Sequence, residues 1–318
     1  MVRHVHLLDT SVATDNVGDE IIVDASKAII AQTFPDAYIS RSASHDGLGH
    51  FGRELVADAD VALLIGTNGL TPADQRRFNF VWTVRGKDVE ALRDKVVLFG
   101  VGANRDFDKI NWRQKRLLST ILSSRHTHSV RDAQGQKLME MLDFKVTNTS
   151  CPTLWGYAKT PPVVPEGKAD RVVFTLTKHK PAAEDAQMIE ILKQKYDEVY
   201  FWPQQPRDLP YLQEIAGLEG ITVLAPNLAA YDALLASGPI DVTGTRLHGS
   251  IRGLKHGRRI LAVSIDNRAR DIGAETNLPV LARDKVPGEF AKLIDGGWKT
   301  ELTLPGDRID QFTGQFAA

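Results

Sequence analysis

One short stretch, Thr245-Arg246-Leu247-His248-Gly249-Ser250, brings together a guanidinium, an imidazole and a hydroxyl. Arg246 offers a planar fork suited to a carboxylate or phosphate. His248 is the side chain there that normally titrates near neutrality, so it can donate or accept a proton. Gly244 and Gly249 permit a sharp turn and a close approach of ligand to backbone. If a helix starts here, its free N–H groups and positive dipole end add to the attraction for an anion. The plainer alternative is a surface arginine and a helix-capping histidine.

Other stretches have weaker chemistry. Asp9-Thr-Ser-Val-Ala-Thr-Asp-Asn16-Val-Gly18-Asp19 holds three carboxylates and could contact an acceptor hydroxyl or order the cleft, although Asp19 also reads as a helix N-cap. Gly66-Thr67-Asn68-Gly69 and Gly100-Val101-Gly102-Ala103 could turn backbone N–H groups toward a ligand, or could simply be tight turns. In Val130-Arg131-Asp132, Asp132 reads as an N-cap, and Arg131 either forms a local salt bridge or joins Arg246 in holding one small anion. Trp202, Gln204 and Gln205 could serve a sugar by stacking and amide contacts, but the tryptophan reads first as a packing residue. His4, His6, His126 and His128 alternate along strands with no second cluster to complete a metal shell, so no metal is expected. Neither a Walker phosphate loop nor a Gly-x-Ser-x-Gly elbow is present.

These residues fall at the ends of apolar runs. Val5–Leu8, Val61–Ile65, Val96–Val101 and His128–Val130 read as strands in the first half. Arg171–Leu176, Glu198–Phe201, Ile221–Leu224, Ile240–Thr243 and Arg259–Ile265 do so in the second. Helical patterns lie between them at Glu20–Phe34, Lys109–Ser123, Asp132–Leu142, Glu184–Lys195, Leu209–Gly217, Ala229–Ser237 and Gly249–His256. Alternation of this kind calls for an α/β fold with parallel sheets, in which ligands sit at the carboxyl ends of strands. The proline-rich stretch from Thr160 to Asp170 divides the chain into two Rossmann-like domains, 1–160 and 161–318, expected to face a central cleft. The last helix is expected to pack back on the first domain.

Length and composition exclude other classes. The 318 residues are 42% hydrophobic and 25% charged, which is ordinary globular usage. A net charge of −1 argues against a nucleic-acid partner, which would call for excess Lys and Arg. The single cysteine, Cys151, allows no intrachain disulfide. No apolar run reaches the roughly 20 residues of a membrane span, so a cytoplasmic protein is expected.

Taken in order, Asn16-x-Gly18-Asp19, Gly66–Gly69, Gly100-x-Gly102, Val130-Arg131-Asp132 and Arg246-Leu247-His248-Gly249 resemble the polysaccharide pyruvyl transferase family. So does Ile260–Asp266, followed by Arg268 and a Gly-x-x-Thr-x-Leu-Pro stretch from Gly273 to Pro279. The usual glycine run of the family is interrupted here by Thr67-Asn68. The resemblance implies two domains of the glycosyltransferase type B kind, phosphoenolpyruvate as donor, a sugar as acceptor and a pyruvate ketal as product. It implies donor contacts from Arg246, Leu247, Arg131, Gly249 and Ser250, and proton transfer by His248 with Asp19. Asp9, Asn16, Gly18, Asn68 and Gly102 fall to the acceptor or the cleft. No metal or redox cofactor is required. A lipid-linked acceptor would bring such an enzyme to the inner membrane face. The competing readings are a nucleotide-sugar glycosyltransferase, for which no base and ribose contacts are found, and a non-catalytic anion- or glycan-binding protein, which has no need of a titrating His248.

Overall fold

The computed structural model describes residues 2–75, 81–103 and 105–317, with residues 267 and 268 described in backbone only. The chain forms two compact units. Unit 1 comprises Met1–Thr14, Ile22–Gly156 and Leu304–Ala318; unit 2 comprises Asp15–Ile21 and Tyr157–Thr303.

Unit 1 runs β1 (His4–Asp9), α1 (Val17–Thr33), β2 (Tyr38–Ala43), α2 (His50–Asp58), β3 (Val61–Ile65), α3 (Val89–Leu92), β4 (Val96–Phe99), α4 (Trp112–Ile121), β5 (His128–Val130), α5 (Ala133–Glu140) and β6 (Val146–Asn148). The first turn of α1 belongs to unit 2. Four strands form a parallel sheet in the order β2-β1-β3-β4. A bridge from Val101 to Val130 then leads to the parallel β5-β6 pair. The order reverses direction at β1/β3, and in open α/β sheets such a reversal opens a crevice for ligands at the strands' carboxyl ends. Asp9 ends β1 there, and Gly66–Asn68 follow β3. β3 and β4 are apolar at every position because both their faces are buried.

Unit 2 runs β7 (Arg171–Thr175), α6 (Ala183–Lys195), β8 (Glu198–Phe201), α7 (Asp208–Ala216), β9 (Thr222–Val223), α8 (Leu228–Ala236), β10 (Asp241–Gly244), α9 (Leu247–Lys255), β11 (Ile260–Ser264), α10 (Asn267–Thr276), β12 (Val280–Ala282) and α11 (Ala291–Gly296). α12 (Gly306–Gly314) returns to unit 1. The six-stranded parallel sheet has the order β12-β11-β10-β7-β8-β9. Counted within the unit this is 3-2-1-4-5-6, the Rossmann order, with its switch point between β7 and β10. At that point Gly244 pairs with Thr175. Gly244 has φ +120, and a β-carbon there would lie 2.3 Å from the Thr175 carbonyl oxygen, so only glycine fits. Each sheet has its own core, with Leu64, Leu98 and Leu118 in unit 1 and Phe174, Phe201 and Leu192 in unit 2.

The α/β class with parallel sheets is as the sequence leads one to expect. The elements β2, β6, β12, α2, α3 and α11 are additional to those read from the sequence, whereas α12 is the last helix, expected there without bounds. β4 stops at Phe99, and Val101 makes only an isolated bridge, because Gly100 turns the chain at φ +64.

Candidate active site

In unit 2 the conspicuous side chains gather at the β7/β10 switch point. Arg246 precedes α9, is 9% exposed, and supplies no side-chain cap to that helix. Its Nε donates to the Leu176 carbonyl at 2.9 Å. Its Nη2 donates to both Asp208 oxygens, at 2.6 and 2.7 Å, and to Gln205 Oε1 at 2.7 Å. The open fork expected from the sequence is therefore largely engaged within the protein, and Nη1 is the nitrogen left without a partner among the described residues. Asp208, at the start of α7 and fully buried, also accepts from the backbone N–H groups of Gln205 at 3.0 Å, Gln204 at 3.3 Å and Lys178 at 3.4 Å. One carboxylate thus holds both the arginine and the Gln204-Gln205 loop.

Leu247, His248 and Gly249 form the first turn of α9, whose N–H groups have no helical partner. Leu247 and His248 are half-buried, and His248 interacts with other groups of the protein. Ser250, fully buried, has an Oγ with no hydrogen-bond partner among the described residues. So does Nε2 of buried Gln204. The Gln204 amide is clasped between two glycines: a β-carbon on Gly249 would meet its Nε2 at 2.3 Å, and one on Gly18 its Oε1 at 2.9 Å. The Asn16–Asp19 turn belongs to this same unit, with the Val17 N–H donating to the Gln204 carbonyl at 3.0 Å and Gln205 Nε2 to Asp15 at 3.0 Å. Asn16 performs the capping that the sequence leaves open to Asp19, its Oδ1 accepting from Gly18 N–H at 3.1 Å. Asp19 sits inside the first turn, 8% exposed. Trp202 is fully buried and stacked on Tyr231 at 3.8 Å, so it packs the unit and is closed to a sugar; Tyr231 in turn donates to the Gly249 carbonyl at 2.9 Å.

In unit 1 the structure groups Asn68 and Gly102 with Arg131. Arg131 is 2% exposed and donates from Nη2 to Asn68 Oδ1 at 2.5 Å, while Nε and Nη1 have no partner among the described residues. No ion pair within 4 Å is made to it among those residues, in contrast to the local salt bridge that the sequence allows, and the Asp132 carboxylate stands beside Nε across the gap above Gly102. Two buried guanidinium nitrogens without acceptors are costly, and an added anion would supply them. Gly102 makes room for the guanidinium, since a β-carbon there would lie 2.7 Å from Arg131 Nε and 2.3 Å from Asp132 Oδ2. Asp132 caps α5 by accepting from Gly135 N–H at 2.7 Å. Thr67 holds φ +61 on this rim, a strained conformation for a β-branched residue. Asp9, at the end of β1, is fully buried; its Oδ1 accepts from Ser11 N–H and Oγ–H at 2.8 and 2.6 Å, and Oδ2 has no hydrogen-bond partner among the described residues.

The strand histidines are structural. Buried His128 accepts from Leu98 N–H at 3.2 Å and donates to the Ser123 carbonyl at 2.9 Å, and burial pulls its pKa down to about 4. Burial likewise lowers His6 to about 4, with neighbouring His4 adding to the effect. No group of three or more His, Cys, Asp or Glu that could hold a metal occurs among the described residues. The side chain of Arg268 lies outside the described residues.

The model of the family described as polysaccharide pyruvyl transferase matches residues 16–267. The chain belongs to this family. The matched span of this pyruvyl transferase family member includes the Asn16 turn, the Arg131 cradle and the α9 start. No curated protein matches it significantly. Among solved structures it is similar to a provisionally assigned UDP-N-acetylglucosamine 2-epimerase from Listeria monocytogenes, with 12% identity over 92% of this chain and 87% of the other and a TM-score of 0.49. It is also similar to the UDP-GlcNAc 2-epimerase from Neisseria meningitidis bound to UDP-GlcNAc (9%, 99% and 93%, TM-score 0.45) and to the E. coli heptosyltransferase WaaC with ADP (13%, 92% and 97%, TM-score 0.42). None of these transfers a ligand or an activity to this family member.

Proposed function

We propose that this protein moves the pyruvyl group of phosphoenolpyruvate onto a sugar of a polysaccharide or its precursor, forming a pyruvate ketal. The reading rests on family membership and on one observation: at the Rossmann switch point of unit 2, an uncapped helix start lies beside two buried side chains, Ser250 and Gln204, whose Oγ and Nε2 lack hydrogen-bond partners among the described residues. Such a start favours an anion, and phosphoenolpyruvate carries a phosphate and a carboxylate. Arg246 Nη1, the first-turn N–H groups of α9 and Ser250 Oγ are the donors for it. His248, as imidazolium, gives its proton to the methylene carbon, and C2 becomes electron-poor. A sugar hydroxyl adds to C2 and releases its proton to Asp19. The C2–O bond to phosphate then breaks, and a second hydroxyl closes the ketal ring, giving its proton to the now neutral His248. The products are the ketal and inorganic phosphate. A positioned acid of this kind contributes roughly 10²–10⁴ in rate. Arg131 is an anion contact in unit 1, assigned to the donor by the family pattern.

The test combines turnover and thermal shift. The wild type incubated with phosphoenolpyruvate and a panel of sugar acceptors releases phosphate, and mass spectrometry shows the ketal. His248→Ala releases none, yet phosphoenolpyruvate still raises its melting temperature. Arg131→Met shows a smaller thermal shift; an unchanged dissociation constant clears Arg131 of the donor. Stabilisation by UDP-sugars and not by phosphoenolpyruvate would overturn the reading in favour of a glycosyltransferase.

A further inference from the structure

The exposed face of α4 in unit 1 has no part in the sites described above. Trp112 is 66% exposed, an uncommon position for so large an apolar ring. Arg113, Lys115 and Arg116 are exposed beside it, and the helix contains no carboxylate. Positions 112, 115, 116 and 119 share one side of a helix. Arg113 lies over the Trp112 ring at 5.1 Å and reaches Asp74 at 3.8 Å. The side chains of Lys115 and Arg116 have no hydrogen-bond or ion-pair partner among the described residues. Trp112, Arg113, Arg116 and Leu117 border a cavity of about 240 Å³ whose apolar wall is completed by Val84 and Val89.

The geometry points to α4 as the face by which this protein seats on an anionic lipid bilayer. A solvated basic face needs no exposed indole, whereas an interfacial surface uses both: cations attract the acidic headgroups, and the amphipathic ring settles at their level. The unpaired cations are complementary to acidic lipid, and the exposed Trp112 ring beside them favours a bilayer, which has an apolar layer to receive it, over a soluble polyanion. The bordering cavity gives an apolar recess behind the headgroup-binding cations. Binding of this kind is local to α4 and requires no turnover, so it stands or falls separately from pyruvyl transfer.

Sedimentation with vesicles of phosphatidylcholine alone, and of phosphatidylcholine with phosphatidylglycerol, tests the seating on the full chain. The wild type is expected to sediment with the anionic vesicles and not with the neutral ones, and to be released by salt. Each basic residue near a charged membrane is worth about fivefold in partition, so Lys115→Gln with Arg116→Gln is expected to weaken binding roughly 30-fold. Trp112→Ser is expected to weaken it further in the same assay. Both variants alter exposed side chains, and an unchanged urea midpoint shows that they remain folded. Equal binding to the two kinds of vesicle, or undiminished binding by either variant, overturns the proposal; so does retention of a soluble polyanion, dextran sulfate, by a wild type that ignores the anionic vesicles.

Discussion

Removing the Asp208 carboxylate is expected to injure unit 2 more than removing the arginine it holds. Asp208→Ala takes away two of the three acceptors of Arg246 Nη2, at 2.6 and 2.7 Å, sparing only neutral Gln205 Oε1, and leaves a guanidinium only 9% exposed without its counter-charge. Breaking a buried pair from one side costs about 3–5 kcal/mol. The N–H groups of Gln204 and Gln205 lose their acceptor too, but at 3.3 and 3.0 Å they add less than the stranded charge. At about 2–4 °C per kcal/mol for a unit of this size, the melting temperature should fall by roughly 10 °C. Arg246→Met with Asp208→Leu removes both charges and should recover part of that loss, because a buried pair replaced by apolar groups is often tolerated. Calorimetry with urea titration reads both variants. An Asp208→Ala protein within about 0.5 kcal/mol of wild type would refute the view that Arg246 is held by this carboxylate. Asp208→Asn, which keeps the shape and one acceptor oxygen, should stay folded while phosphoenolpyruvate binding weakens, because the carboxamide no longer fixes Arg246.

His6 and His128 make stability pH-dependent. Their folded pKa values of about 4 lie below the unfolded value near 6.5, so the folded chain resists binding protons that the unfolded chain accepts. The contribution is complete above pH 6.5 and is lost as the pH falls toward 4, roughly 3 kcal/mol for each imidazole. Urea midpoints measured across that window should fall steeply, and His128→Gln should flatten the slope; an identical slope in the variant disproves the assignment. Gly102→Ala forces a methyl group to within 2.9 Å of Asn68 Oδ1 and closer still to Arg131 Nε and Asp132 Oδ2. It should cost about 1–3 kcal/mol in urea denaturation and shrink the thermal shift with phosphoenolpyruvate. A stable Gly102→Ala protein with an unchanged shift would mean that the cradle does not serve the donor.

The strands buried on both faces were the most legible part of the chain, since Val61–Ile65 coincides with its apolar run and Ile260–Ser264 lies within the run Arg259–Ile265. Edge strands such as β2 were hidden because Tyr38-Ile-Ser-Arg-Ser-Ala mixes polar and apolar side chains on an exposed margin. The side chains named at the strand ends were visible, but their internal partners were not. Asp208 lies far from Arg246 in sequence, and nothing local to either announces the pair. Gln204 was visible only as a polar residue after a strand; its position between Gly18 and Gly249 depends on three separated segments. Asn16 took the cap from Asp19 because α1 starts earlier than its apolar periodicity does.

The return of α12 has a consequence for biosynthesis. Phe312 packs edge-on against Phe99 at 5.6 Å and Trp155 at 5.9 Å, Phe316 meets Phe34 at 4.9 Å, and Gln315 bonds the Thr127 backbone through both ends of its amide. The aromatic seam of Phe34, Phe99 and Trp155 in unit 1 is therefore covered by a segment that follows all of unit 2 in the sequence. A nascent polypeptide stalled, or a gene cut, anywhere before Leu304 would leave that aromatic seam open to water, so unit 1 is sealed only after unit 2 has been synthesised.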